Sequence, residues 1–315
     1  MQDNDSELSP CGSDHPQLGQ ALHDEEGPRV PAGLPPVVDA HVHLFPPPLF
    51  EAIWRWFDRH GWPIRYKLHS EQVLAFLAAR GVGRIVALHY AHKPGIARSM
   101  NRAMAELAAA HPEVIATATV MPGEEGAVAI LEEAFALGLA GVKLHCHVQA
   151  LAADDDAMHA LYEVAARHGK PVVVHAGREP RSAAYKLDTH AICSAERVAN
   201  VLRAHPTLQL CVPHLGADEY DAYEGLLERH DNLWLDTTMA LAEYFPVRPH
   251  RRLLTVRAER ILYGTDFPNI PYAWDRELRK LEGYGLDPDQ VAGILGANAL
   301  RLYGQPAAAP LHSAR

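Results

Sequence analysis

The chain has 315 residues, 48% hydrophobic and 22% charged, with 39 acidic against 29 basic side chains for a net charge of -10. That composition is globular with a sizeable core, and the length suits one large α/β domain or two ordinary ones. The acidic balance argues against a nucleic-acid or anionic-membrane partner. No apolar run reaches membrane-spanning length, so a small-molecule partner is the expectation.

In chain order, residues 1–34 are rich in Asp, Glu, Gly and Pro, lack the apolar core of a signal peptide, and read as a disordered leader. Cys11, Cys146, Cys193 and Cys211 are scattered without a CxxC pair. A disulfide framework is therefore not expected, and the chain reads as cytoplasmic. Residues 37–44, VVDAHVHL, are the first strand candidate. Strand alternation puts Asp39, His41 and His43 on one face, beside three prolines that end the run. The stretch 53–66, IWRWFDRHGWPIRY, holds three of the five tryptophans and reads as a lid, an aromatic wall or an oligomer contact.

Further strand candidates are 84–90, 114–120, 140–147, 171–177, 208–216, 232–238 and 260–268. Most are continuous apolar runs, as parallel strands covered on both faces require. Amphipathic stretches lie between them, among them 70–80, 97–110, 125–138, 155–169 and the closing 287–304. Strand and helix alternate eight times, which predicts a single (β/α)8 TIM barrel over 35–304, followed by a loose tail, 305–315. No glycine-rich phosphate loop follows any strand, which argues against a nucleotide-binding open sheet.

A barrel's functional face is the C-terminal end of its strands. Those ends carry His41, His43, His89, Lys143, His145, His147, His175, His214, Asp236 and Asp266. One such histidine is readily a hydrogen-bonded core residue; several converging on one mouth point to a shared metal ion. His41, His43, His175 and Asp266 would supply three imidazole nitrogens and one carboxylate oxygen to a divalent ion such as Zn2+. Arg178 could grip a substrate carboxylate or pair within its loop. His145 and His147 share a face with Lys143 by alternation, which makes His145 a candidate substrate contact. His89 and His92 flank the end of strand 2, where local hydrogen bonding is the expectation.

DAHVHL, GVKLH, VVHAG, PHLG, YGTDFP and the closing DPDQVAGILGANALRLYG resemble the amidohydrolase superfamily. More narrowly they resemble its amidohydrolase-related branch, which includes the aminocarboxymuconate semialdehyde decarboxylase type. The resemblance spans 37–303. It implies a metal held by His41, His43, His175 and Asp266, with His214 moving a proton or holding a second ion. It also implies that Lys143, if carboxylated, bridges two metals; with one metal, Lys143 is a substrate contact or a charge partner of Asp266. The leading expectation is hydrolysis of a small amide, lactone or related bond by metal-activated water, with Asp266 and His214 as catalytic groups. The alternatives are nonoxidative decarboxylation of an unsaturated or aromatic acid, and a non-catalytic metal-containing barrel. A homodimer is the default expectation on base rate.

Overall fold

A computed structural model describes residues 21, 23–244 and 247–304. Eight parallel strands run in sequence order around a barrel: β1 (Val37–His43), β2 (Val82–Leu88), β3 (Val114–Ala116), β4 (Val142–His145), β5 (Val172–His175), β6 (Leu210–Val212), β7 (Leu233–Asp236) and β8 (Ile261–Leu262). Ladders join β1 through β3 and β4 through β8. Backbone bonds close both seams: Lys143 N to Ala118 O at 2.8 Å on one side, Asp266 N to His41 O at 2.9 Å and His43 N to Phe267 O at 2.8 Å on the other. Closure leaves no unpaired edge, and the expected (β/α)8 barrel is the fold.

Alternation, hidden in the apolar runs, appears once the strands are assembled. Val86, Leu88, Ile115, Val173, Cys211, Trp234 and Leu262 pack inside the barrel on the C-terminal helix, while Ala87, Val114, Val172, Leu210 and Leu233 face the outer helices. β1 breaks the rule. Its register against β2 shifts between Asp39 and Val42. Val38 and Ala40 join the interior cluster, whereas Val37 and Val42 join the outer one. Asp39 therefore does not act as the companion of His41 and His43 that strict alternation suggested. It accepts from Thr265 Oγ1 at 2.5 Å and from the amides of His41 and Thr265. A bulge changes which face a side chain meets, which period-2 counting cannot foresee.

The helices are α1 (Pro47–His60), α2 (Ser70–Ala79), α3 (Ala97–Ala110), α4 (Ala127–Ala136), α5 (Cys146–Gln149), α6 (Asp156–Arg167), α7 (Thr189–Ile192), α8 (Ala195–Ala204), α9 (Tyr220–Arg229), α10 (Arg251–Thr255), α11 (Arg276–Leu281), α12 (Pro288–Ala292) and α13 (Asn298–Leu302). The prolines that stop β1 also start α1, since proline suits a helix's first turn, where no intrahelical acceptor is needed. The terminal helix is continuous from α12 to α13 through a π-helical segment, Gly293–Ala297. Its Leu300 and Tyr303 plug the bottom of the barrel.

Residues 1–20 and the tail 305–315 lie outside the described residues. Residues 23–34, expected within the leader, differ from that expectation. Glu26 accepts from Tyr66, Arg65 and Arg80, Arg276 bonds Asp24 at 2.8 Å, and Val30 N donates to Arg80 O at 2.8 Å. Charged side chains that look like solvated leader in one dimension are here partners for arginines on the barrel wall.

Candidate active site

β1 delivers His41 and His43 with fixed tautomers. The Nδ1–H of His41 donates to Asp236 Oδ2 at 2.8 Å, and that of His43 faces Leu88 O at 3.3 Å. Each Nε2 is thereby left with its lone pair, and both face the same carboxylate oxygen, Asp266 Oδ1, at 3.4 and 3.0 Å. Two lone pairs against a carboxylate in a buried site repel unless a cation or proton lies between them. The donor atoms of His41, His43 and Asp266 lie within 4.8 Å of one another. The residues fit a divalent ion by donor chemistry, burial and the outer carboxylate that orients a ligand imidazole.

His175, expected as the fourth ligand, stands one ring away. Its Nε2–H faces Glu179 O at 3.2 Å, which leaves Nδ1 bare toward His214 Nε2, also at 3.2 Å. The Nδ1–H of His214 donates to Thr238 O at 2.9 Å. The ring of His214 lies 5.9 Å from that of His41 and 4.7 Å from that of His175, so it spans the two sides of the mouth. His175 groups with His145 and His147, whose donor atoms lie within the same 4.8 Å limit.

The backbone around these groups is unusual. His214 and Leu215 have φ of 59° and 54°, and Asp266 has φ of 71°, in the left-handed region that non-glycine residues avoid. The glycines of the two motifs are steric requirements. A Cβ on Gly216 would lie 2.0 Å from the Tyr223 ring, and one on Gly264 would lie 2.7 Å from His41 Cβ. The run 208–216 is thus a strand only over Leu210–Val212, followed by a tight turn that aims His214 inward.

Burial keeps the imidazoles neutral. It holds His41, His145 and His175 well below the usual histidine value, lowers His214, and brings His147 down to about 4. Burial alone would raise Asp266, but the proton or cation that its 3.0 Å contact with His43 Nε2 requires, with the neighbouring imidazoles, outweighs that and holds the carboxyl well below the ordinary range. Lys143 is fully buried with Nζ 3.5 Å from His41 Nε2, and burial brings its amine down to about 8. It sits beneath the pocket floor rather than on the wall where a substrate contact belongs.

Above this floor is a cavity of about 370 Å³. Ile53, Trp56, Phe57 and Trp62 from α1 and the turn after it form one side, so the aromatic stretch is a wall of the site. Tyr90, His92, His145 and His147 form another, and Pro180, Ala184, Tyr185 and Lys186 from the β5 loop a third. Trp56 meets Tyr185 across the top with ring centres 5.3 Å apart. His147 is not on a strand: β4 ends at His145, and α5 carries His147 to Gly177 O, 2.8 Å from its Nε2. Arg178 is off the wall, forked onto Asp218 with two bonds of 2.9 Å, which is the ion pair that was its other reading. His89 is fully buried beside Asn101 and Thr117.

Sequence reasoning assigned no role to Asp236, Tyr90, Tyr185, Lys186 or Asn269. Asp236 ends β7 as Asp266 follows β8, a signal that was available. The others sit in loops, where no periodicity marks orientation.

Solved structures share this architecture. An uncharacterised TIM-barrel protein of Bordetella bronchiseptica matches at TM-score 0.66 and 21% identity, over 85% of this chain and 98% of that one. A 5-carboxyvanillate decarboxylase of Sphingomonas paucimobilis matches at 0.64 and 17%, over 86% and 99%. A 5-carboxyvanillate decarboxylase of Novosphingobium aromaticivorans, crystallised with manganese and 4-hydroxy-3-methoxy-5-nitrobenzoic acid, matches at 0.62 and 14%, over 89% and 100%. No curated protein matches the sequence. No helix among the described residues is long and apolar enough to cross a membrane. The sequence model of the amidohydrolase family matches residues 38–305, nearly the whole folded chain, and the chain belongs to that family.

Proposed function

We propose that this protein is a metal-dependent carboxy-lyase that removes a carboxyl group, without oxidation, from a small planar aromatic or unsaturated acid. The observation that carries the reading is the pocket. Trp56, Phe57, Trp62, Tyr90 and Tyr185 enclose a cavity of about 370 Å³ whose floor is the His and Asp cluster. Flat walls of this kind suit a planar ring, which stacks on them at little entropic cost. Two of the structural neighbours above are decarboxylases of an aromatic acid, and the motif resemblance to the aminocarboxymuconate semialdehyde decarboxylase type points to the same chemistry.

His41, His43 and Asp266 would hold the ion, with His175 as fourth ligand through its bare Nδ1. Zn2+ suits the donor set, and a neighbour's manganese makes Mn2+ the other candidate. When bound, the ion would supply positive charge that anchors the acid and lowers the cost of its developing charge. The chain's own residues do the rest. The aromatic walls exclude water and orient the ring. His214 keeps its Nδ1 proton on Thr238 O, so Nε2, which faces the cluster, is the atom that would take up a proton and pass it on. The carbon that loses carbon dioxide takes up one proton, so bonds and charge balance without a redox partner.

Hydrolysis is the second reading. A specific observation favours it: Asp266 is held ionised by His43 and His41, as a base accepting a proton from water would be. The test is incubation of the metal-loaded protein with substituted benzoates and unsaturated acids in D2O and, separately, in 18O-labelled water. Carbon dioxide release with one deuterium at the vacated carbon is expected. Turnover of esters or amides with 18O entering the product acid, and no release of carbon dioxide from any acid, would overturn the decarboxylase reading.

A further inference from the structure

We propose that Tyr90 is a substrate-binding residue whose hydroxyl donates to one oxygen of the substrate's carboxylate, leaving the other oxygen for the centre of His41, His43 and Asp266. The imidazole protons around the mouth are already spent. Those of His41 and His43 go to Asp236 Oδ2 and Leu88 O, that of His147 to Gly177 O, that of His175 to Glu179 O and that of His214 to Thr238 O. A neutral imidazole has one N–H, so none of these rings has a donor left for a substrate. Among the described residues no arginine lines the cavity, and Lys186, its one lysine, is exposed on the β5 loop. A carboxylate drawn into so donor-poor a site needs a hydrogen bond from the wall.

Tyr90 stands where that donor belongs. β2 ends at Leu88, and two residues later the chain sets Tyr90 in the cavity wall. Its ring meets His43 at 5.6 Å, Phe45 at 5.1 Å and His145 at 4.8 Å, each edge to face, so it is wedged between the β1 and β4 histidines. Three such contacts fix the direction of the para oxygen. That oxygen has no hydrogen-bond partner among the described residues, and Asp266 lies within its electrostatic reach. Tyrosine hydroxyls in such surroundings normally find a partner, and an acid seated against His43 and Asp266 would be one. Trp56, Phe57 and Trp62 then hold the plane of the substrate while Tyr90 holds its carboxylate, and in that respect the inference rests on the carboxy-lyase reading. In that reaction the carbon–carbon bond leaves its electron pair on the carbon that takes the proton, and neutral carbon dioxide departs. Negative charge therefore leaves the two oxygens during the step. A donor to those oxygens stabilises the bound acid at least as much as the transition state, so its loss falls on binding rather than on kcat.

The full chain is stripped of metal and reloaded with Co2+, whose visible absorption follows ligands arriving at the centre. It is titrated with benzoate, trans-cinnamate and azide, the last an anion that has no second oxygen to offer. Tyr90→Phe keeps the ring and its contacts, and circular dichroism confirms the fold. Tyr90→Met, which fills similar space, should match it if that variant folds poorly. Dissociation constants for both acids should rise about 10–100-fold in Tyr90→Phe, the scale of a hydrogen bond to a charged group. Azide affinity and bound Co2+ should not change. For any acid that turns over, KM should rise by the same factor while kcat stays within about threefold. Equal affinity of both proteins for the acids, equal weakening of azide, or failure of the wild type to bind either acid would overturn the role. Loss of Co2+ in the variant would overturn it too, because the hydroxyl would then be supporting His43. Weaker acid binding in Tyr90→Phe, with no carbon dioxide released from any acid by either protein, would keep the role and overturn the carboxy-lyase reading instead.

Discussion

Asp236 sits behind the site rather than in it, yet two of the histidines depend on it. One carboxylate oxygen takes the Nδ1–H of His41 at 2.8 Å; the other faces the backbone amides of His214 and Thr238, each at 3.2 Å. Three donors converge on two acceptors, an arrangement that an amide cannot reproduce. In Asp236→Asn one donor must face an NH2 group, and either His41 changes tautomer or the His214 turn shifts. We expect a loss of about 10–100-fold in metal affinity, the usual scale for an outer-shell carboxylate. Competition with a chromogenic chelator measures it, and an unchanged affinity would refute the role. Arg178 gives the opposite expectation. Its fork onto Asp218 is at the loop surface and off the pocket, so Arg178→Met should change kcat/KM by less than about threefold while costing about 1 kcal/mol of stability. The ligand-type residues were legible because imidazoles and carboxylates are rare at the ends of apolar strands. Arg178 was ambiguous because an arginine next to a ligand has two equally good uses, and only the position of Asp218, 40 residues away in sequence, decides between them.

At the scale of elements, the long amphipathic helices followed their 3.6-residue pattern closely: Ala97–Ala110 has the limits that the periodicity gives. The failures have one cause. Where the chain leaves a regular period, as at the β1 bulge, the turn after β6 and the one-turn α5, side-chain direction depends on contacts with distant elements. The segment before β1 is the clearest instance, since its acidic residues find partners just past the end of α2, in the loop after α1 and on α11. Glu26 alone meets Tyr66, Arg65 and Arg80, two of those bonds measuring 3.2 and 2.9 Å. Replacing it with alanine removes a charged acceptor from three donors at a half-buried position. Glu26→Ala should lower stability by about 1–3 kcal/mol. A thermal melt would show it as a drop of several degrees, whereas deletion of residues 1–20, which leaves these bonds intact, is the control. An unchanged melting temperature in Glu26→Ala would mean that residues 23–34 do not contribute to the stability of the barrel.

For the whole molecule, the barrel was readable because eight strand–helix alternations admit few other closures, whereas the substrate depends on loop walls that the alternation does not encode. The same closure determines how the fold responds to pH. Glu277 is 1% exposed on α11, with Oε1 accepting from Met239 N at 2.8 Å and Tyr272 OH at 3.2 Å. Burial, reinforced by the Asp39 and Asp236 carboxylates, pushes its pKa well above the ordinary glutamate value despite those two bonds. The protonated acid is thus the form the fold favours. Its contribution is fully present below the unfolded value of about 4.3 and is lost as pH rises through the folded value, because the unfolded chain ionises first. Glutamine imitates the protonated acid and cannot ionise; its carbonyl retains both bonds, and its NH2 replaces Oε2, which has no partner among the described residues. The melting temperature of Glu277→Gln should therefore equal the wild type's near pH 4 and exceed it increasingly as the pH is raised. A gap that stays constant with pH, or one that favours the wild type at pH 8, would show that Glu277 is ionised in the folded protein and that its surroundings stabilise the charge.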